Sequence, residues 1–456
     1  MASDKTEGTT AEQNFARARD SLVARTSRSA ELKARGAKAL AMEVVQTVTM
    51  PHPIYIESAE GARVTDVDGN SYIDLTGGFG PHVLGHNPQV VRDALAQQLE
   101  DGWHFGIHNA RQAELAELLQ EAGRCVETTM FANSGTEATM FAMRLGRAIT
   151  KKSKVALFDG SYHGVHDYAL VKADSKSPRS EPTTRILGSG VPDTIRDDTV
   201  IMLPYRDESA FELIRKHKDD LAMVLIEPVQ SSNPRLDAGD FLHGLLDVCR
   251  ESDVLFLMDE VITGFRIQYG GCQEHFDISP DLATYGKAIA GGLPVGAVAG
   301  RADLMHGFTG KDEAPYIFSG GTFSGNPLTM AAGVAAVSYM RDHKDTLYPY
   351  LMEQGARFAT AINEFCRDEE IPAQVMIAGS MFQLIFQGGE INGQRDITDE
   401  NRRAERQFYL HLMNHGVIVP GIHLAFLSAA HTPEDVDAVI EAFKASFADV
   451  RGDALL

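Results

Sequence analysis

Four short apolar runs, at 155–158, 199–203, 222–226 and 254–258, alternate along the middle of the chain with stretches whose apolar residues recur at helical spacing. Runs this short and this apolar suit strands buried on both faces, which predicts a parallel or mixed sheet covered by helices. Such sheets gather ligands beyond the carboxyl ends of their strands. Three of the four runs lead into polar pairs there: Asp159-Gly160, Glu227-Pro228 and Asp259-Glu260. Upstream, a polar and unpatterned start of 13 residues, read as mobile, gives way at 14–42 to one or two helices. Segment 54–75 alternates in brief apolar runs broken by Gly61 and Asp68-Gly69-Asn70, the mark of a small β-meander. Helical spacing returns at 89–99 and 111–122. Beyond Pro327 the pattern becomes helices at 328–340, 348–366, 402–415 and 433–447 around a β-rich stretch at 374–386. The expected organisation is an N-terminal segment, 1–75, packing with a small domain; a large domain, 76–326; and a C-terminal α+β domain, 327–456.

Charge narrows the range of partners. Lys plus Arg number 42 against 63 for Asp plus Glu, a net −21, which repels phosphate backbones and anionic lipid and argues against nucleic-acid or membrane partners. No window reaches the roughly 18 uncharged apolar residues of a membrane span, and the start of the chain has no apolar stretch of a secretory signal. The four cysteines include no C-x-x-C pair, against a disulfide framework or a structural zinc site. The expectation is a cytoplasmic protein.

Four segments could carry chemistry. Asn133-Ser134-Gly135-Thr136-Glu137 opens a helical stretch with S-x-x-E capping-box spacing, and Gly135 would let an anion approach the first turn, although an unliganded helix start has the same look. Gly160 and Gly164 bracket Tyr162 and His163, which fits either an aromatic platform or a polar turn. Asp259 follows four apolar residues, so its carboxylate should be buried and needs a partner: a structural Arg or Lys, a metal, or the protonated nitrogen of a heterocycle. Lys287 is the only basic residue between Arg266 and Arg301, in an apolar, glycine-bounded segment where desolvation would make its amine nucleophilic. In this order they are the parts a pyridoxal phosphate site needs.

The set N-S-G-T-E-A, Y-H-G, E-P-V-Q, D-E-V-I-T-G-F-R, G-K-A-I-A-G-G-L-P-V-G and G-T-F-S-G-N-P resembles the class III aminotransferases, a fold-type I pyridoxal phosphate family, and in particular its glutamate-1-semialdehyde aminomutase branch, over about 54–447. The resemblance implies an α/β large domain with a mixed, mostly parallel seven-stranded sheet between helices, plus a smaller α+β domain. It implies that Lys287 forms an aldimine with pyridoxal 5′-phosphate and then shuttles the proton. Asp259 would pair with the pyridinium nitrogen, and Val261 would pack on the ring face opposite Tyr162. Ser134, Gly135 and Thr136 would hold the phosphate, with His163 also in the cofactor site and Glu227 and Gln230 near the ring hydroxyl. Thr322 would reach the phosphate of a neighbouring subunit, which implies a homodimer with shared sites, a dimer of dimers remaining open. No metal is expected: His82 and His86 have i, i+4 spacing, but Pro81 and Gly85 mark a loop without an accompanying carboxylate.

The family pattern also breaks. The aminomutase stretch Gly-Gly-Val-Asn-Ser-Pro-Val-Arg is replaced at 37–45 by A-K-A-L-A-M-E-V-V, and its Ser-x-Phe-Glu stretch by G-I-H-L-A-F at 421–426. There is no basic residue between Met42 and His52 and no arginine at 414–432, where relatives bind carboxylates. A carboxylate without a bidentate arginine loses a strong charge-assisted contact. The expected donor is therefore an amine, or a β- or ω-amino acid, on a largely apolar body, contacted by Phe79, Trp103, His104 and Phe105; the same aromatics suit a core equally well. The expected reaction is ping-pong transfer to a keto acid, with an intramolecular aminomutase or an epimerase as the alternative.

Overall fold

The computed structural model describes residues 4–41, 51–398, 400–421, 424–453 and 455. The family departures at 42–45 and at 422–423 lie outside the described residues. The chain divides into two compact units: Gln89–Pro349 with Asn392–Arg395, and Met1–Pro88 with Tyr350–Ile391 and Asp396–Leu456.

The larger unit is built on a seven-stranded sheet. Its strands are numbered here β1 (Thr128–Ala132), β2 (Lys154–Phe158), β3 (Val200–Leu203), β4 (Leu221–Ile226), β5 (Leu255–Asp259), β6 (Leu282–Gly286) and β7 (Gly296–Gly300). The spatial order is β1-β7-β6-β5-β4-β2-β3, with β7 antiparallel to both neighbours and all other pairings parallel. The four apolar runs are four of these strands, and every residue of β4 is buried, as a strand covered on both faces must be. Met223, Leu225 and Leu257 share a core with Phe141 and Leu145 of the helix Gly135–Thr150. Phe158 instead meets Phe241 of the helix Gly239–Glu251 edge-on, with ring centroids 5.9 Å apart. The register brings the carboxyl ends of the six parallel strands and the start of β7 to one sheet edge, so residues 133, 159, 227, 259 and 287 emerge together.

The smaller unit contains the meander Ile56–Glu60, Arg63–Asp66 and Ser71–Asp74, extended by Val417–Ile418 pairing parallel to its last strand. A three-stranded sheet, Gln374–Ala378, Met381–Ile385 and Ala425–Phe426, packs with the helices Arg402–Asn414 and Pro433–Gly452 around Phe358, Phe382, Phe408, Phe443 and Phe447. Rings here approach to 4.5 and 4.6 Å.

Two features differ from the sequence expectations. The first helix begins at Asp4 rather than after the polar start. The helix Pro327–Asp342 lies in the larger unit, whose main bounds fall at Gln89 and Pro349 instead of 76 and 326. The reason is its buried face, Met330, Ala331, Gly333, Ala336 and Val337. At Gly333 the missing side chain admits the Ile289 carbonyl and Leu115.

Candidate active site

Strand register sets this site. On β5 and β6, Asp259 stands directly opposite Thr284, and Lys287 follows Thr284 by three residues, at the first position after β6. Lys287 has a φ of 48°, in the left-handed region that a side chain normally avoids, which turns it out of the strand into the short helical turn Lys287–Ala290. Lys287 is half-buried by area, but protein crowds its amine. Desolvation lowers its pKa to about 8, against the opposing pull of the Glu227 and Asp259 carboxylates, with Arg266 adding to the fall.

Asp259 is 4% exposed and held at three points. His163 Nδ1 lies 2.7 Å from Oδ2. Thr284 donates its hydroxyl to Oδ1 at 2.9 Å, and the Val261 amide donates to the same oxygen at 3.1 Å. His163 therefore sits behind the carboxylate, fully buried, and its Nε2 meets no hydrogen-bonding group among the described residues. Next door, Glu260 accepts from the Thr263 hydroxyl at 2.5 Å and from the amides of Cys272 and Gln273, each at 3.0 Å, which fixes the turn carrying Val261.

The remaining strand ends converge on this cluster. Glu227 is buried and accepts the Tyr162 amide at 2.9 Å; burial raises its pKa against the lowering effects of His163 and that bond. Tyr162 keeps its ring half-exposed, and the amine of Lys172 lies 6.0 Å from the ring centroid while donating to the Ser161 carbonyl at 2.7 Å. Gln230 donates to the Asp159 carbonyl at 2.7 Å and lies beside Gly160. Arg395 pairs with Asp159 and donates to the Ser177 carbonyl at 2.7 Å, tying down the segment that bears Tyr162.

Ser134 caps the helix Gly135–Thr150 by accepting the Glu137 amide at 3.1 Å. The return bond of the expected capping box goes one residue further back, since Glu137 accepts from the Asn133 amide at 2.6 Å. A Cβ on Gly135 would meet Val261 at 2.8 Å, and one on Gly164 would strike Thr136, so both glycines hold the helix start against the cluster. That end carries the positive pole of the helix dipole.

Other expected residues lie elsewhere. Thr322 is exposed on the loop before the helix Pro327–Asp342, and Trp103, His104 and Phe105 are exposed on the loop 102–109. The two loops touch: the His104 and Phe323 rings are 5.1 Å apart, and the Asn109 side chain donates to the Gly325 carbonyl at 2.9 Å. Phe79 belongs to the smaller unit, in the turn Gly77–Phe79. His82 and His86 do lie in a loop, but a carboxylate accompanies them, Asp74 at 2.6 Å from His86 Nε2, which sequence spacing does not show. No group of three or more potential ligands gathers among the described residues.

The sequence profile of the family described as Aminotransferase class-III matches residues 44–446. The chain belongs to the class-III aminotransferases. This class-III chain is 36% identical over 398 residues to the glutamate-1-semialdehyde 2,1-aminomutase of Methanosarcina acetivorans, covering 86% of this chain and 91% of that one. It is 37% identical, with the same coverage, to the aminomutase of Methanothermobacter thermautotrophicus. Among solved structures it resembles an omega-transaminase from Sphaerobacter thermophilus (TM-score 0.87, 32% identity, 93% of this chain and 98% of that one). A transaminase solved with pyridoxal phosphate bound is also similar (TM-score 0.83, 28% identity, 93% and 98%).

The residues present fit that coenzyme. They supply an amine of lowered pKa, a buried carboxylate on the neighbouring strand, a helix start that glycine brings against Val261 beside that carboxylate, and a half-exposed aromatic ring.

Thr284, Lys172 and Arg395 are absent from the sequence reading of the site. Thr284 had a visible signal, as the one aliphatic hydroxyl in the strand L-A-T-Y-G, three residues before the lysine. Arg395, 236 residues from Asp159, had none.

Proposed function

We propose that this class-III protein is a pyridoxal 5′-phosphate-dependent aminotransferase that moves an amino group from an amine or a β- or ω-amino acid to a keto acid by a ping-pong route. The observation that carries the proposal is the placement of Lys287 and Asp259 at the ends of adjacent strands, with the pKa of the amine brought down to about 8. When bound, the coenzyme supplies an aldehyde to capture amines and a ring that withdraws electrons. Lys287 offers the deprotonated amine that anchors it and afterwards carries a proton at the substrate carbon. Asp259, fixed by Thr284, Val261 and His163, keeps positive charge on the ring nitrogen. Val261 and Tyr162 bound the two ring faces, Ser134, Gly135 and Thr136 receive the phosphate, and Glu227 and Gln230 stand at the ring hydroxyl.

The exposed side chains Trp103, Phe105, Ile107, Phe318 and Phe323 support a homodimer in which Thr322 completes the partner's phosphate site. In that assembly Trp103, His104 and Phe105 line a substrate pocket. No helix among the described residues is long and apolar enough to cross a membrane.

The identity to glutamate-1-semialdehyde 2,1-aminomutases favours a second reading, an intramolecular amino shift. One assay separates the two. The purified protein is given a panel of amines and amino acids with and without pyruvate or 2-oxoglutarate. The transaminase reading requires turnover that depends on the acceptor, with parallel double-reciprocal lines. Isomerisation of one compound without an acceptor would replace it with the aminomutase.

A further inference from the structure

An ionised carboxylate has two oxygens and about four acceptor positions. On Asp259, Oδ1 already takes the Thr284 hydroxyl at 2.9 Å and the Val261 amide at 3.1 Å, which fills it. Oδ2 takes His163 Nδ1 at 2.7 Å and keeps one position open. Both Asp259 and Thr284 are buried, Thr284 completely, so bulk water does not compete for these positions. Backbone register holds the arrangement: Asp259 is aligned with Thr284, and the Glu260 amide donates to the Thr284 carbonyl at 2.8 Å.

We infer that Thr284 is a positioning residue that saturates Asp259 Oδ1 and so directs the carboxylate to offer Oδ2, the oxygen shared with His163, to the coenzyme ring nitrogen. The inference rests on the proposed placement of that nitrogen at Asp259. It also gives β6 two tasks, since the strand that presents Lys287 to the aldehyde also orients the acceptor for the far side of the ring. Valine has nearly the shape of threonine without the hydroxyl. In Thr284→Val, Oδ1 loses one of its two donors, and the carboxylate is free to rotate about its last bond and share its oxygens differently.

The test measures equilibrium binding to the apoenzyme, by fluorescence, of pyridoxal 5′-phosphate and of its analogue with carbon in place of the ring nitrogen. Wild type should prefer the coenzyme. Thr284→Val should weaken coenzyme binding by roughly tenfold while changing analogue binding less than about twofold, the size expected of one hydrogen bond to a charged group. Thr284→Ser, which keeps the hydroxyl, should restore the preference, and Thr284→Ala should reproduce the valine result if valine perturbs folding. Equal weakening of both ligands in Thr284→Val would reduce Thr284 to a packing residue and overturn the inference, as would unchanged affinity for both. If wild type itself binds the two alike, the failure belongs to the pairing of Asp259 with the ring.

Discussion

Lys287 departs from ordinary lysine in backbone and in acidity, and both follow from its place just beyond a buried strand. Its left-handed φ breaks the strand at the position where the amine must leave the sheet. Its pKa of about 8 reflects burial that neighbouring carboxylates only partly offset. The unfolded chain holds the lysine proton up to about 10.5, whereas the folded apoenzyme releases it near 8. Between those values the unfolded state binds more protons, so stability attributable to this residue rises with pH. The stability of apo wild type minus that of apo Lys287→Met should therefore climb by roughly 2–3 kcal/mol in total from pH 7.5 to about 10.5. Chemical denaturation of both proteins across that range checks it, and a flat difference would mean that the amine is not desolvated. Asp259 and Lys287 were legible in the sequence because a charge in an apolar run has few explanations. Thr284 was harder to see, because one hydroxyl in a strand becomes informative only when register sets it opposite a carboxylate.

Elements show the same division between what pattern reveals and what packing requires. Strands β2 to β5 announce themselves as apolar runs. Strands β1, β6 and β7 read T-T-M-F-A, L-A-T-Y-G and G-A-V-A-G, too small or too mixed for the pattern to single them out. Smallness has a cause in β7. Gly296 lies between Ala132 and Gly286 at the sheet edge, and any Cβ there would collide with the Ser134 carbonyl that leads into the helix start proposed to receive the phosphate. Gly296→Ala should lower stability by about 1–3 kcal/mol, the range for overpacking with backbone shift, and weaken coenzyme binding. Gly388→Ala, with nothing within 4 Å of the added carbon and no positive φ, should leave the melting temperature within a degree or two of wild type. Thermal melts of the three proteins decide this, and equal melting temperatures would refute the account of β7.

For the whole molecule the notable quantity is exposed apolar side chain. Phe318 is 79% exposed, Ile107 77% and Trp103 63%, on or beside the two loops joined by the His104–Phe323 contact. A patch of this kind on a chain with a net charge of −21 is expected to be covered by another protein surface, and the proposed occupant is a second copy. Sedimentation should give at least twice the monomer mass for wild type. Phe318→Asp should shift the protein toward monomer and reduce retained coenzyme, because Thr322 would no longer reach a partner's site. A wild-type monomer that keeps its coenzyme would remove both the dimer and the shared-site proposal.

The amino-acid sequence alone determined the class of fold and set a buried lysine and a buried carboxylate at strand ends as the proposed site, because apolar periodicity and buried charge are local consequences of chain chemistry. The tertiary structure alone decided what holds that pair in place. Thr284 on Asp259, His163 behind it, Gly296 under Ser134 and Arg395 against Asp159 are contacts between segments far apart in the chain, and their partners are chosen by strand order and register, which no local pattern encodes.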